Sequence, residues 1–151
     1  PDLASKTELL LMAADRAQHV LEVITPNLRH GKIVISDRYI DSSLADQGYG
    51  LGENLDLIRQ VNLWATGGLQ PHLTILLDVD PQLGMGRRQG TDRIEERGLA
   101  FQRRVREGYR LLVAQQPDRF ILLSGEGAPE VVEQQIRQRI IPHLQQRGAK
   151  G

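Results

Sequence analysis

An α/β fold, a parallel sheet flanked by helices, is what this chain predicts, and three observations carry that prediction. Short apolar runs at Ile33-Val34-Ile35, Leu73 to Val79 and Phe120 to Leu123 alternate with longer stretches of helical period. The β-branched run Ile33-Val34-Ile35 has no polar interruption, the pattern of a strand buried on both faces of a parallel sheet. The first two runs close on acidic or cationic residues, Asp37-Arg38 and then Asp78 and Asp80. In such sheets ligands sit outside the carboxyl ends of the strands.

Taken in order, Ser5-Lys6-Thr7-Glu8 fits a capping box, with Ser5 as N-cap. A helix is predicted from there to about Leu28, with Leu10, Ala13, Ala17, Leu21, Ile24 and Leu28 as its core stripe. Pro26 lies near its end and His30-Gly31 stops it. After the Asp37-Arg38 strand, residues 40–54 are rich in Ser, Asp and Gly and read as a loop over the sheet's carboxyl edge. Asn54 caps a helix to Ala65 with Leu57, Ile58, Val61 and Trp64 inward, and Gly67-Gly68 ends it. The strand at Leu73 to Val79 completes a βαβ unit, expected to be parallel and right-handed. Asp80-Pro81 starts a short helix. Residues 87–97 form a dense, glycine-broken run of mixed charge. Phe101, Val105, Tyr109 and Leu112 mark an amphipathic helix, and Pro129 opens the last one, with Val132, Ile136 and Ile140 inward.

Size and composition bound the answer. The 151 residues make one domain's worth of chain, and 40% hydrophobic content is enough for a core. Lys+Arg and Asp+Glu both total 19, so there is no net field to drive non-specific nucleic-acid or charged-membrane binding. Cysteine is absent, which excludes disulfides and thiolate metal sites and points to a reducing cytoplasm. No apolar run approaches the ~20 residues needed to span a bilayer, and no signal-peptide pattern is visible. The chain begins at Pro1, without methionine, and its first helix starts almost at once. Three strands are few for this fold, so a preceding segment with the first strand or strands is expected.

Several residues have both a chemical and a plain reading. Asp37 can support a metal ion through its water and Arg38 can fork onto a phosphate; the plain alternative is a surface ion pair at a strand end. Met12 and Arg16 share a helix face, an apolar platform beside a cation; alone, Met12 reads equally as a core gap-filler and Arg16 as a partner of Asp15 or Glu22. The 87–97 segment is either a solvated loop or a lid whose arginines close on phosphates.

Together these stretches acquire a family likeness. Leu9-Leu10-Leu11-Met12-Ala13-Ala14-Asp15-Arg16-Ala17-Gln18-His19, then Asp37-Arg38-Tyr39-Ile40-Asp41-Ser42-Ser43-Leu44-Ala45-Asp46-Gln47-Gly48, then Gly67-Gly68-Leu69-Gln70-Pro71-His72-Leu73-Thr74 resemble bacterial thymidylate kinases in order and spacing. Asp92-Arg93-Ile94-Glu95, Phe101 and residues 104–109 extend the likeness. The resemblance implies a P-loop fold of the nucleoside monophosphate kinase type, formed as a single domain over residues 1–151 with its lid at 87–97. It implies transfer of the ATP γ-phosphoryl group to dTMP with Mg²⁺, yielding dTDP for dTTP synthesis. Arg16 would read the thymine carbonyl and Met12 would pack on the thymine face. Ser43 would hydrogen-bond the base, with Ser42 and Gln47 in the same substrate-facing set. Arg38 would hold the dTMP phosphate and Asp37 would support the Mg²⁺ shell. Arg87, Arg88 and Arg93 would belong to the lid. Family members are commonly dimeric through their long helices, and the helix from Ser5 to Leu28 would serve.

The chain also departs from the family pattern. No Gly-x-x-x-x-Gly-Lys-Ser/Thr occurs: Gly31-Lys32 is followed by Ile33, and Asn27 stands five before Lys32. The family's P-loop segment, on the order of 50 residues, would precede Pro1, and without it this stretch alone is expected to be inactive. Met12 replaces the usual phenylalanine, Leu51 an arginine and His72 an aspartate. Asp46 stands where a tyrosine is usual beside the sugar, and its carboxylate is expected to repel the substrate phosphate. Two other readings therefore stay open, a non-catalytic relic that binds a nucleotide or partner and a kinase of the same fold with a shifted substrate.

Overall fold

The first helix shows why periodicity alone misplaces a face. In the structure, a computed structural model that describes residues 3–86 and 98–148, α1 (Ser5–His19) runs through a widened π-type turn at Val20–Ile24 into α2 (Thr25–Arg29). Pro26 has no N–H to donate, and the widened turn directly precedes it. The buried stripe is Leu9, Ala13, Arg16, Val20 and Ile24. Ala13 and Ile24 are as predicted, whereas Leu9, Arg16 and Val20 are buried in place of Leu10, Ala17 and Leu21, and Leu10 and Leu21 are 60% and 69% exposed. Nor does Ser5 cap the helix. Ala4 occupies the N-cap without a side-chain bond, and the Ser5 hydroxyl donates to Glu53 instead.

Two compact units make up the described chain. The first comprises the residues up to Gln70 together with Arg103–Tyr109. Here the predicted loop at 40–54 is largely helical, as α3 (Ile40–Ser43) followed by a π-type turn, Leu44–Gly50. The reason is tertiary: Ser42, Ser43, Asp46 and Gln47 fall on one helical face, and all four are buried. The hydroxyls of Ser42 and Ser43, the Asp46 carboxylate and the Gln47 amide nitrogen find partners there that a loop would have sought in water. Gly48 lies so close to Leu55 that any Cβ would collide with it. Arg104 clamps the end of this segment, its Nε and Nη2 donating to the Gly50 carbonyl at 3.0 and 2.8 Å.

Helix α4 (Leu55–Thr66) starts and stops as the sequence predicts. Asn54 Oδ1 accepts from the Leu57 N–H at 2.9 Å, and Gly67, at φ 59°, ends the helix in the left-handed conformation that glycine takes without strain. Its inward face matches the predicted one only at Ile58. Ile58, Asn62 and Thr66, spaced by four, are buried, whereas Leu57 is exposed and Trp64 is 87% exposed.

The predicted strand at Ile33-Val34-Ile35 is a further correction. This segment has no regular secondary structure and is unpaired by any described strand, and Ile33 and Ile35 are 68% and 91% exposed. A ladder requires a neighbour to accept and donate its main-chain bonds. No βαβ unit therefore forms from residues 33–79 among the described residues.

The second unit, Pro71–Gln102 with the chain from Arg110 on, holds the sheet. Strands β1 (Thr74–Asp78) and β2 (Phe120–Ser124) pair in parallel, with Thr74 opposite Phe120 and Asp78 opposite Ser124. Two strands are thus described instead of three. Asp80 Oδ1 accepts from the Gln82 N–H at 2.9 Å and starts α5 (Pro81–Gly86), as its sequence predicts. Helix α6 (Gly98–Gln115) contributes residues to both units and buries Phe101, Val105 and Leu112, and α7 (Pro129–Gly148) buries Val132. At the carboxyl end of β1, Asp78 is committed to an ion pair with Arg110 at 2.8 Å.

Candidate active site

The polar centre of the first unit is assembled from α1, the Asp37–Tyr39 segment, the 40–50 helical stretch and α4. Arg16 leaves α1 on the buried stripe, where a guanidinium must find acceptors or be expelled. It finds three. Its Nη1 donates to Asn62 Oδ1, and its Nη2 donates to the Tyr39 carbonyl at 3.1 Å and to Ser43 Oγ at 3.3 Å. The guanidinium carbon also lies 5.5 Å from the centroid of the Tyr39 ring. Burial pulls the Arg16 pKa below its ordinary value, opposed by Tyr39 and Asp15, and a guanidinium so placed stays cationic. Burial likewise raises the Tyr39 hydroxyl, which donates to the Leu69 carbonyl at 3.1 Å.

One turn away on α1, Met12 touches the Gln47 amide, its sulfur 3.8 Å from Nε2. The same Nε2 donates to Glu8 Oε1 at 2.8 Å. Glu8, Met12 and Arg16, at successive steps of four, thus present a carboxylate, a thioether and a cation to the 40–50 segment. Gln47 is fully buried, and its Oε1 has no protein partner, an acceptor left over for a donor on a ligand.

Arg38 and Asp46 form an ion pair in which the carboxylate side chain is 4% exposed and the guanidinium side chain 48%. Arg38 has φ 64°, the only positive φ at a non-glycine among the described residues, a local strain held by its surroundings. The expected repulsion by Asp46 is therefore directed elsewhere: its charge is neutralised by the very cation assigned to the phosphate. Beside them Tyr109, from α6, donates to Ser42 Oγ at 3.0 Å. Burial first, then the Asp46 charge, pushes its pKa up to about 12.

Of the predicted residues, Arg16 and Ser43, Arg38 and Asp46, and Met12 and Gln47 are paired with one another, and Ser42 is bonded by Tyr109, all within the first unit. Asp37 stands exposed at its edge. Arg87, Arg88 and Arg93 lie outside the described residues. Sequence reasoning missed Glu8, Tyr39, Asn62 and Tyr109. For Asn62 a signal existed, since Asn54, Ile58, Asn62 and Thr66 share one face, and an amide on a core stripe asks for a buried partner.

This arrangement offers a buried cation, an apolar sulfur and amide and hydroxyl groups beside a second cation, groups suited to a polar heterocycle with an attached anion. Comparison with known proteins gives the family. A family profile described as thymidylate kinase matches residues 2–136. The chain belongs to the thymidylate kinase family. It is similar to the thymidylate kinase of Synechococcus sp. (strain JA-2-3B'a(2-13)), at 49% identity over 91% of this chain and 66% of the relative. It is also similar to those of Trichormus variabilis, at 47% over 95% and 70%, and Nostoc punctiforme, at 47% over 94% and 69%. The chain thus spans 66–70% of the length of these relatives. Thymidylate kinases are nucleoside monophosphate kinases with the P-loop fold, and the parallel pairing of β1 with β2 is consistent with it. No described helix is long and apolar enough to cross a membrane.

Proposed function

We propose that the protein to which this chain belongs transfers the γ-phosphoryl group of ATP to dTMP in the cytoplasm, and that the Arg16–Met12–Gln47–Arg38 cluster is its dTMP site. The observation that carries this is the convergence of a buried base-reading cation and a half-exposed phosphate-reading cation in one unit, on residues of the family motif. Arg16 donates to the thymine carbonyl while Met12 packs on the ring and Ser43 and Gln47 meet its polar edge. Arg38 neutralises the phosphate that must be approached by a second, highly charged phosphate chain. Arg87, Arg88 and Arg93 add cations over the phosphates from a lid, and close it against water that would hydrolyse ATP.

The donor set at Asp37 suits Mg²⁺. Among the described residues no three acidic, histidine or cysteine side chains converge, and a lone exposed carboxylate suits an ion that keeps waters and takes its other ligands from phosphates. When bound, Mg²⁺ neutralises charge on the transferring phosphates, and Asp37 holds its water shell.

The outward stripe of α1 and of the turn that follows it, with Leu10 and Leu21 exposed, supports self-association as a homodimer through that helical stretch.

The test is dTMP-dependent ATP consumption by the full-length natural protein, with dCMP and dAMP as competitors. Saturable activity with dTMP preferred is the expected result, and affinity no better for dTMP than for dCMP or dAMP would sink the reading. The Arg38–Asp46 pair favours one alternative, a drifted copy that no longer catalyses, for which the same assay would show no dTMP-dependent turnover.

A further inference from the structure

A base-reading arginine discriminates only if its donors are aimed, and α1 alone does not aim Arg16. Its guanidinium is held at both ends. On the Nη2 side the Tyr39 carbonyl and the Ser43 hydroxyl accept from it, and on the Nη1 side Asn62 Oδ1 does. Asn62 is itself fixed. It is 3% exposed, its Nδ2 donates to the Ile58 carbonyl at 2.8 Å, and its main-chain carbonyl accepts from Thr66 Oγ1 at 2.9 Å. The Nδ2 bond sets which way the amide points and leaves Oδ1 facing Arg16. The three protein acceptors engage three of the five N–H groups a guanidinium carries, so the rest are presented in a defined direction.

We propose that Asn62, in α4, is a positioning residue for pyrimidine selectivity: its amide oxygen fixes the Arg16 guanidinium so that the remaining donors meet a carbonyl of the base and reject an amino group there. Asn62 touches no nucleotide in this scheme and acts through Arg16. The inference rests on the reading of Arg16 as the base-contacting residue. It makes α4 a contributor to specificity, although its outer face, with Trp64, faces solvent.

The chemistry dictates which substrates to compare. Thymine and uracil both carry the carbonyl that cytosine replaces with an amino group. A freely rotating Arg16 should therefore lose dTMP-over-dCMP discrimination and keep dTMP-over-dUMP discrimination, which depends on the methyl group. In the full-length protein, kcat and KM would be measured for dTMP, dUMP and dCMP in Asn62→Leu, Asn62→Ala and Asn62→Asp, with Arg16→Ala beside them and thermal melting as a check on folding. Asn62→Leu and Asn62→Ala should each lower dTMP-over-dCMP selectivity by roughly tenfold, mainly through KM, and leave dTMP-over-dUMP within about twofold. Asn62→Asp, which keeps an oxygen facing Arg16, should restore most of the selectivity. Folded Leu and Ala variants with wild-type selectivity would overturn the proposal, provided Arg16→Ala has lost it. So would a uniform fall for all three nucleotides that Asp does not rescue, the mark of a merely structural residue. Should neither apolar variant fold, the Asp variant decides: selectivity kept supports the proposal, and selectivity lost with the fold intact overturns it. Unchanged selectivity in Arg16→Ala would instead remove the base-reading assignment itself.

Discussion

Arg38 and Asp46 place a competition inside the candidate phosphate site. An incoming dianion and the Asp46 carboxylate seek the same guanidinium, whose side chain is 48% exposed while that of Asp46 is 4% exposed. Drawing Arg38 away leaves a buried carboxylate without its counter-charge, which costs more than breaking an exposed pair, so the pairing weakens phosphate binding. Asp46→Asn should therefore lower the KM for dTMP by about threefold to fivefold, as measured in steady-state kinetics; a raised KM would mean that Asp46 supports the phosphate-binding geometry. Arg38→Ala removes the cation altogether, and kcat/KM should fall by well over tenfold (more than ~1.4 kcal/mol). A smaller fall would take the phosphate away from Arg38. Tyr109 gives a prediction in pH. Its folded pKa of about 12 lies above the ordinary value of 10.0, so the folded state holds the proton more tightly. The stability it contributes is full below pH 10 and is lost as pH rises from 10 toward 12. The slope of unfolding free energy against pH in that window should be shallower for Tyr109→Phe than for the parent, and equal slopes would show that the hydroxyl is not buried as described.

Helices in this protein are placed by close approaches as much as by periodicity. Gly108 in α6 is the clearest case, because a Cβ there would stand 2.6–2.7 Å from Tyr49 side-chain atoms. Gly108→Ala must push Tyr49 or α6 aside and should cost about 1–3 kcal/mol, read from chemical denaturation; a neutral or stabilising change would mean that Tyr49 gives way freely. In α1 the widened turn at Val20–Ile24 shifts the phase of the helix between Arg16 and Ile24. The capping signals behaved differently. Asn54, Gly67 and Asp80-Pro81 each define an element boundary at the residue the sequence names. Much of the element plan was therefore legible in advance, while the inward faces of the first helical stretch and of α4 were legible only in part, at Ala13, Ile24 and Ile58. Trp64 looked like core and is exposed, whereas Asn62 looked polar and is buried, because Arg16 needs an acceptor there.

At the scale of the whole molecule, the exposed apolar side chains say what remains to be covered. Leu10 on α1 and Leu21 in the turn that follows it form the stripe to which we assign a second copy of the chain. Leu21→Glu in the full-length protein should convert a dimer to a monomer in analytical ultracentrifugation, with little effect on the helix itself, since position 21 is 69% exposed. A dimer that survives this change together with Leu10→Glu would place self-association elsewhere. Ile33 and Ile35 are a different matter: their spacing is that of a strand, and no described strand lies beside them.

By itself the sequence determined the local and the serial features. The Asn54 and Asp80 caps and the Gly67 stop could be read from neighbouring residues, because each is satisfied within a few positions of chain, and the two apolar strand segments and the ordered motifs of a thymidylate kinase could be read along the sequence. Only the tertiary structure decided that residues 40–50 are helical, that Arg38 is held by Asp46, and that Arg16 is gripped by Asn62 from 46 residues away and by Tyr39 from 23. A buried charge takes whatever acceptor the folded chain brings within reach. Spacing along the sequence does not encode that choice, since it is made by desolvation in three dimensions.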